Sequence, residues 1–127
     1  MPLLLLAAAS AELDALDQAV ARCDRASANP AFSQEAARRS SFLLDTYREQ
    51  EAIVAARLDI SQRRATLREA GAIKASDEKQ LKLEEAAVED RQRALNDQRM
   101  LEGIRQDAMD TMRRYFLLNC PAGRLDK

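Results

Sequence analysis

Leu67-Arg68-Glu69-Ala70-Gly71-Ala72-Ile73-Lys74-Ala75-Ser76-Asp77-Glu78 reads as the end of one helix followed at once by the start of another. Gly71 stands just after the last member of a long helical repeat, where a chain leaving a helix turns left-handed and glycine carries no Cβ penalty. Ser76 then offers a capping hydroxyl, and Asp77 and Glu78 put negative charge at the positive end of the next helix. The connection, about Gly71 to Ala75, is short, and short connections between long helices force antiparallel neighbours. The chain is expected to double back here.

Upstream, no Gly or Pro occurs between Pro30 and Ala70. Ala36, Leu43, Tyr47, Val54, Leu58 and Ala65 share a narrow arc at ~100° per residue, which predicts one apolar seam. Phe42, Ile53, Ile60 and Leu67 form a second line on a neighbouring face, and its last three members repeat every seven residues. At ~1.5 Å per residue a helix over 30–70 reaches about 60 Å, the length of a rod. Downstream, a helix is expected over 77–118, with Leu83, Ala87, Ala94, Leu101, Ile104, Ala108, Met112 and Tyr115 in a coiled-coil register. Asp90, Asp97 and Thr111 interrupt that register with polar groups, which costs stability and fixes alignment. Glu35 with Arg39, Asp59 with Arg63, Glu89 with Arg93 and Asp110 with Arg114 are i,i+4 pairs, each worth ~0.2 to 0.5 kcal/mol of helix.

Before the long helices, Leu13, Leu16, Val20 and Cys23 make the stripe of a short helix over 12–26. Asn29 can cap the next helix, and Pro30 suits a first helical position because its missing amide hydrogen would have had no partner there. At the far end, Tyr115-Phe116-Leu117-Leu118 is the densest apolar cluster after residue 11. These four point all round a helix and call for partners on several sides, so a small three-helix core is expected, formed with helix one and the start of helix two. Gly103 inside the last helix marks either a close helix crossing or a weak spot costing ~1 kcal/mol.

Met1 to Ala11, MPLLLLAAASA, is apolar and ends in small residues before the chain turns acidic at Glu12. It has the look of the end of a secretory signal peptide cleaved after Ala11, although a basic start is missing; the other reading is a plain apolar first turn. At about half the ~20 residues a spanning helix needs, it is no membrane anchor. Cys23 and Cys120 are the two cysteines, and an even count in an exported chain predicts a bridge. A hairpin brings the beginning of its first helix beside the end of its second, so the bridge fits the topology. In a cytosolic protein the same two residues would be reduced thiols.

The composition suits helices: 46% apolar and 32% charged, with 3 Gly and 3 Pro in 127 residues. With 20 basic against 21 acidic residues, the net charge of -1 supplies no basic excess to draw the chain to nucleic acid. The absence of histidine removes the commonest general base and the usual triads. Two distant cysteines without histidine offer no zinc spacing. Ser76-Asp77-Glu78-Lys79 matches a Ser-x-x-Lys string but lacks the partner motifs of penicillin-recognising enzymes, so it reads as a helix cap. The carboxylates Glu84, Glu85, Glu89 and Asp90 lie on helix with Arg91 and Arg93 among them, and the arginine pairs Arg38-Arg39, Arg63-Arg64 and Arg113-Arg114 have acidic neighbours; both read as solvated faces. The 3 Gly are dispersed, so there is no phosphate loop.

The reading is an all-α, coiled-coil-like antiparallel helical hairpin, residues 12–127 forming one domain, with a short N-terminal helix packed at its open end. It is expected to be non-enzymatic, without cofactor or metal, and exported to the periplasm or envelope. Its action would be through self-association or a protein partner, with Phe42, Ile53, Ile60 and Leu67 as the candidate interaction face, because helix one is too short to cover that line. A cytosolic adaptor and an exported holdase-like chaperone are the rival roles.

Overall fold

A computed structural model describes residues 2–71 and 73–121, with side chains from residue 11 onward. It is all-helical: α1 is Pro2–Ala21, α2 is Arg25–Glu69 and α3 is Ala75–Asn119. The two 45-residue helices pack together as a helical hairpin, and there is no strand among the described residues. The chain divides into two compact units, Met1–Ser40 with Glu102–Lys127 (unit one) and Ser41–Leu101 (unit two).

The first chain reversal comes earlier than the sequence suggests. Asp24 N–H donates to the Ala19 carbonyl at 2.8 Å and Cys23 N–H to that of Val20 at 3.1 Å, while Cys23 takes the left-handed φ of 53°. These two bonds are the Schellman ending of α1, with a cysteine where glycine is usual. Asp24 then starts α2: its carboxylate accepts from Ser27 N–H at 3.3 Å and Ser27 Oγ at 2.9 Å. With that cap in place helix begins at Arg25, and Pro30 sits inside α2 rather than at its first position. Pro30 removes one bond to the Ala26 carbonyl, but Ala26 is exposed and solvent reaches it. The helix expected over 12–26 is therefore corrected to Pro2–Ala21.

The second reversal is where it was expected. Gly71 has φ 63° and donates to the Arg68 carbonyl at 3.0 Å. The start of α3 differs in its cap: Asp77 reaches back to accept from Lys74 N–H at 3.0 Å, so Ser76 lies inside the first turn. An acidic side chain at this third helical position satisfies an amide and opposes the helix dipole together.

In unit two the packed line is Ile53, Ile60 and the half-buried Leu67 on α2 against Leu81, Val88 and Leu95 on α3. Ile53 and Leu95 are the largest fully buried side chains. This line repeats every seven residues on both helices, the period that keeps a seam facing a left-handed partner. The richer α2 stripe repeats at eleven, as Leu43-Val54-Ala65, and drifts the other way. So the seam expected through Leu43, Tyr47, Val54 and Leu58 is corrected: these four are exposed, as are Leu83, Leu101, Ile104 and Tyr115 of the α3 register.

In unit one, Leu16, Ala19 and Val20 of α1, Ala28 of α2, and Met109 and Phe116 of α3 form the core. Phe32 tilts against Phe116 with ring centroids 5.6 Å apart. The three-helix core is present, but of the 115–118 cluster only Phe116 is buried; Tyr115, Leu117 and Leu118 are exposed. The α1 members of this core among the residues with described side chains are Leu16, Ala19 and Val20, with the half-buried Leu13 and Cys23 against them. A Cβ built on Gly103 meets nothing within 4 Å, which makes it a weak spot and not a close crossing. Gly103→Ala is accordingly expected to raise stability by up to ~1 kcal/mol in urea denaturation; a loss would show an obstacle that the helix surface does not have.

Candidate functional site

Cys23 and Cys120 are brought to disulfide distance, with Cα atoms 5.5 Å apart across 97 residues of sequence. The left-handed turn at Cys23 aims its side chain away from α1 and at the end of α3, where Cys120 is buried. Beside them Arg25 donates to the Cys120 carbonyl, and its guanidinium lies 5.5 Å from the centroid of Phe116. A cation at a helix C-terminus opposes the negative end of the dipole and satisfies a carbonyl the helix leaves open.

Phe42, Ile53, Ile60 and Leu67, proposed from sequence as an interaction face, are not a free surface. Ile53 is 0% and Ile60 5% exposed, and Phe42 and Leu67 are half-buried. The partners of Ile53, Ile60 and Leu67 are α3's own Leu81, Val88 and Leu95. The unpartnered apolar face of α2 in unit two is instead Leu43, Tyr47, Val54 and Leu58, with Leu58 57% exposed. Their spacing of four, seven and four puts them within a single arc at ~100° per residue.

Unit one also holds a charged cluster, missed in the sequence, that joins all three helices. Glu35, 8% exposed, accepts from Arg38 Nε at 2.8 Å, Arg39 Nε at 2.7 Å and Arg105 Nη1 at 2.8 Å. Arg38 continues to Glu102 at 2.6 Å, Arg39 to Asp110 at 2.8 Å and Arg105 to Glu12 at 3.2 Å. Gln106 donates a further bond to Glu102 at 2.9 Å. Burial, the largest single influence, pushes the Glu35 pKa up; bonds from Arg38, Arg105 and Arg39 together outweigh it and hold the carboxyl down at about 2. Glu102 is likewise held low, burial being outweighed by Arg38 and Gln106. No proton donor or acceptor near neutral pH results, so the cluster can align helices but cannot exchange protons there.

Only Glu35 with Arg39 hinted at it, and that pair reads in sequence as one more i,i+4 contact. Of the four such pairs expected, Glu35–Arg39 and Asp59–Arg63 form, at 2.7 and 3.0 Å. Glu89 bonds across to Arg57, leaving Arg93 to pair with Asp90 in its own helix, and Asp110 bonds across to Arg39. The polar positions Asp90, Asp97 and Thr111 are exposed and set no register; the buried Glu35 and Glu102, bonded across helices, do, while Thr46 is the third buried polar side chain among the described residues. Thr46 satisfies itself by donating to the Phe42 carbonyl at 2.8 Å.

Unit two aligns its helices by polar contacts at the margins of the seam. Gln50 and Gln92 exchange amide bonds at 2.9 and 3.1 Å. Arg57 with Glu89, Arg63 with Glu84 and Arg64 with Glu85 bridge α2 to α3. Exposed pairs of this kind are worth ~0 to 1 kcal/mol each, so they select register more than they stabilise. No group of three or more His, Cys, Asp or Glu poised to hold a metal occurs among the described residues. No described helix is long and apolar enough to cross a membrane. Comparison of the chain with protein-family models, curated proteins and solved structures finds no match, so its role must be read from its own side chains.

Proposed function

We propose that this chain is a non-enzymatic helical protein of an oxidising cell-envelope compartment, and that it works by pairing α2's unpartnered face with a second copy of itself. The observation that carries the reading is the exposed line Leu43, Tyr47, Val54 and Leu58 in unit two. Large side chains left wet at helical spacing on one face are what helix-to-helix pairing consumes. A second copy supplies an identical stripe, and closed pairing through the same patch is the commonest route to a dimer. The cysteine pair at bonding distance supports an oxidising location, where such bridges persist.

The expected result is twice the chain mass by light scattering for the unaltered protein, and the single-chain mass for Tyr47→Asp with Leu58→Asp. Both side chains are exposed, so helix content by circular dichroism should not change. Unaltered protein at the single-chain mass would overturn self-pairing. One observation favours a cytosolic adaptor with the same face: α1 runs unbroken from Pro2 through Ala11. Intact mass after alkylation without reductant separates the two, since alkylated thiols on an uncleaved chain belong to the adaptor and an unreactive pair to the envelope protein.

A further inference from the structure

A cleft of about 600 Å³ in unit one lies between the first turns of α2 and the last turns of α3. Its volume is in the range of small-molecule sites. Arg25 and Arg113 line it, and no carboxylate does among the described residues. The other clefts differ in this respect: one pairs arginines with glutamates, and another carries three aspartates and no cation. Asn29 and Ser33 add two neutral polar side chains, and the rest of the lining is apolar, with Phe32 and Phe116 along the cleft and Leu117 and Pro121 at its edge.

Arg25 is already held in place, since Nη2 donates to the Cys120 carbonyl and the guanidinium rests on Phe116. Its Nε, however, is buried without a hydrogen-bond partner. Leaving such a donor unmatched costs about 1 to 3 kcal/mol, and more on a charged group. Arg113 makes no ion pair with any described residue, so its charge is available to a ligand. Leu117 and Leu118 next to the cleft are 62% and 75% exposed, a wet apolar lip.

We propose that this cleft binds a small single-chain amphipathic anion, with its head on Arg25 and Arg113 and its hydrocarbon tail along Phe32, Phe116 and Leu117. Two guanidinium groups in a lining that holds no carboxylate among the described residues select the negative head, by charge-assisted bonds stronger than neutral ones. The apolar walls and lip reward a tail that a bare anion lacks. A carboxylate and a phosphate monoester share this chemistry and differ in charge, shape and number of acceptor oxygens. The site lies wholly in unit one and does not depend on the self-pairing face.

Calorimetric titration of the disulfide-intact chain with decanoate, below its micellar concentration, tests this. Saturable binding with one site per chain is expected, weakened ~10-fold or more by Arg113→Gln. Arg113→Gln changes an exposed side chain, so it should fold normally; Arg25→Gln, checked by circular dichroism, should weaken binding at least as much. Decyl phosphate in place of decanoate distinguishes the two heads, tighter binding marking the phosphate as the preferred one. Equal binding of decyltrimethylammonium, full competition by acetate at the same concentration, or an unchanged affinity in Arg113→Gln would each overturn the proposal.

Discussion

Reducing the Cys23–Cys120 bridge, or replacing both residues by serine, is expected to lower the unfolding free energy by roughly 3 to 5 kcal/mol. The two residues close a loop of 97 residues, and chain-entropy accounting gives ~4.7 kcal/mol for a loop of about 100. Unit one has most to lose, because the bridge ties the end of α1 to the end of α3 beside a core with few large side chains. The backbone adds a second, smaller term. Cys23 is left-handed, which costs an L residue about 1 to 2 kcal/mol and glycine nearly nothing. Cys23→Gly with Cys120→Ser should therefore recover ~1 kcal/mol relative to the double serine variant. Urea denaturation with and without reductant measures both terms, and superimposable curves would mean that the bridge contributes nothing.

Glu35→Ala is expected to cost roughly 3 to 5 kcal/mol, more than any exposed ion pair in the molecule, because it strips one carboxylate from three guanidinium groups. Arg105 suffers most, with its side chain only 11% exposed and the well-exposed Glu12 as its remaining ion-pair partner among the described residues. Arg38 and Arg39 keep Glu102 and Asp110. Replacing Glu35 and Arg105 together by methionine should be far milder, since an apolar pair removes the cost of burying both charges. Acid tells the same story. The Glu35 carboxyl titrates near 2 in the folded chain against an ordinary 4.5, so its contribution is full above about pH 4.5 and is lost as pH falls toward 2. At ~1.4 kcal/mol per pKa unit this is about 3 kcal/mol. Glu35→Gln should flatten the acid limb of the stability profile without abolishing it, because Glu102 is also held low. A Glu35→Gln profile identical to that of the unaltered chain would show that the cluster carries none of the acid sensitivity.

The long helices, the turn at Gly71 and the cysteine pairing were legible because each is set by nearby residues or by chain reversal alone. Gly71 and the uninterrupted helical runs are local facts, and a hairpin then places Cys23 within reach of Cys120 wherever the exact helix ends fall. Pro30 misled because a strong cap upstream, Asp24, started α2 before the proline was reached.

Which stripe goes inside was not legible. On α2 two apolar lines lie roughly a third of a turn apart at ~100° per residue, and a count of apolar residues favours the one that stays wet. The choice belongs to the partner helix. Leu81, Val88 and Leu95 mesh with Ile53, Ile60 and Leu67 at a common seven-residue period. Continuing the α3 line by seven leads to Glu102, Met109 and Phe116. A buried glutamate would disqualify that line on α3 alone; it is tolerated because Arg38, sixty-four positions earlier, is folded against it.

The order of residues was sufficient for an all-helical chain, for the reversal at Gly71 and for the meeting of the two cysteines, since periodicity and capping act over a few positions and loop closure follows from them. The wet face, the charged cluster around Glu35 and the cationic cleft beside Phe116 came only from the folded chain. Burial is a relation between surfaces, and a side chain's neighbours across a helix pair are not written in its own helix.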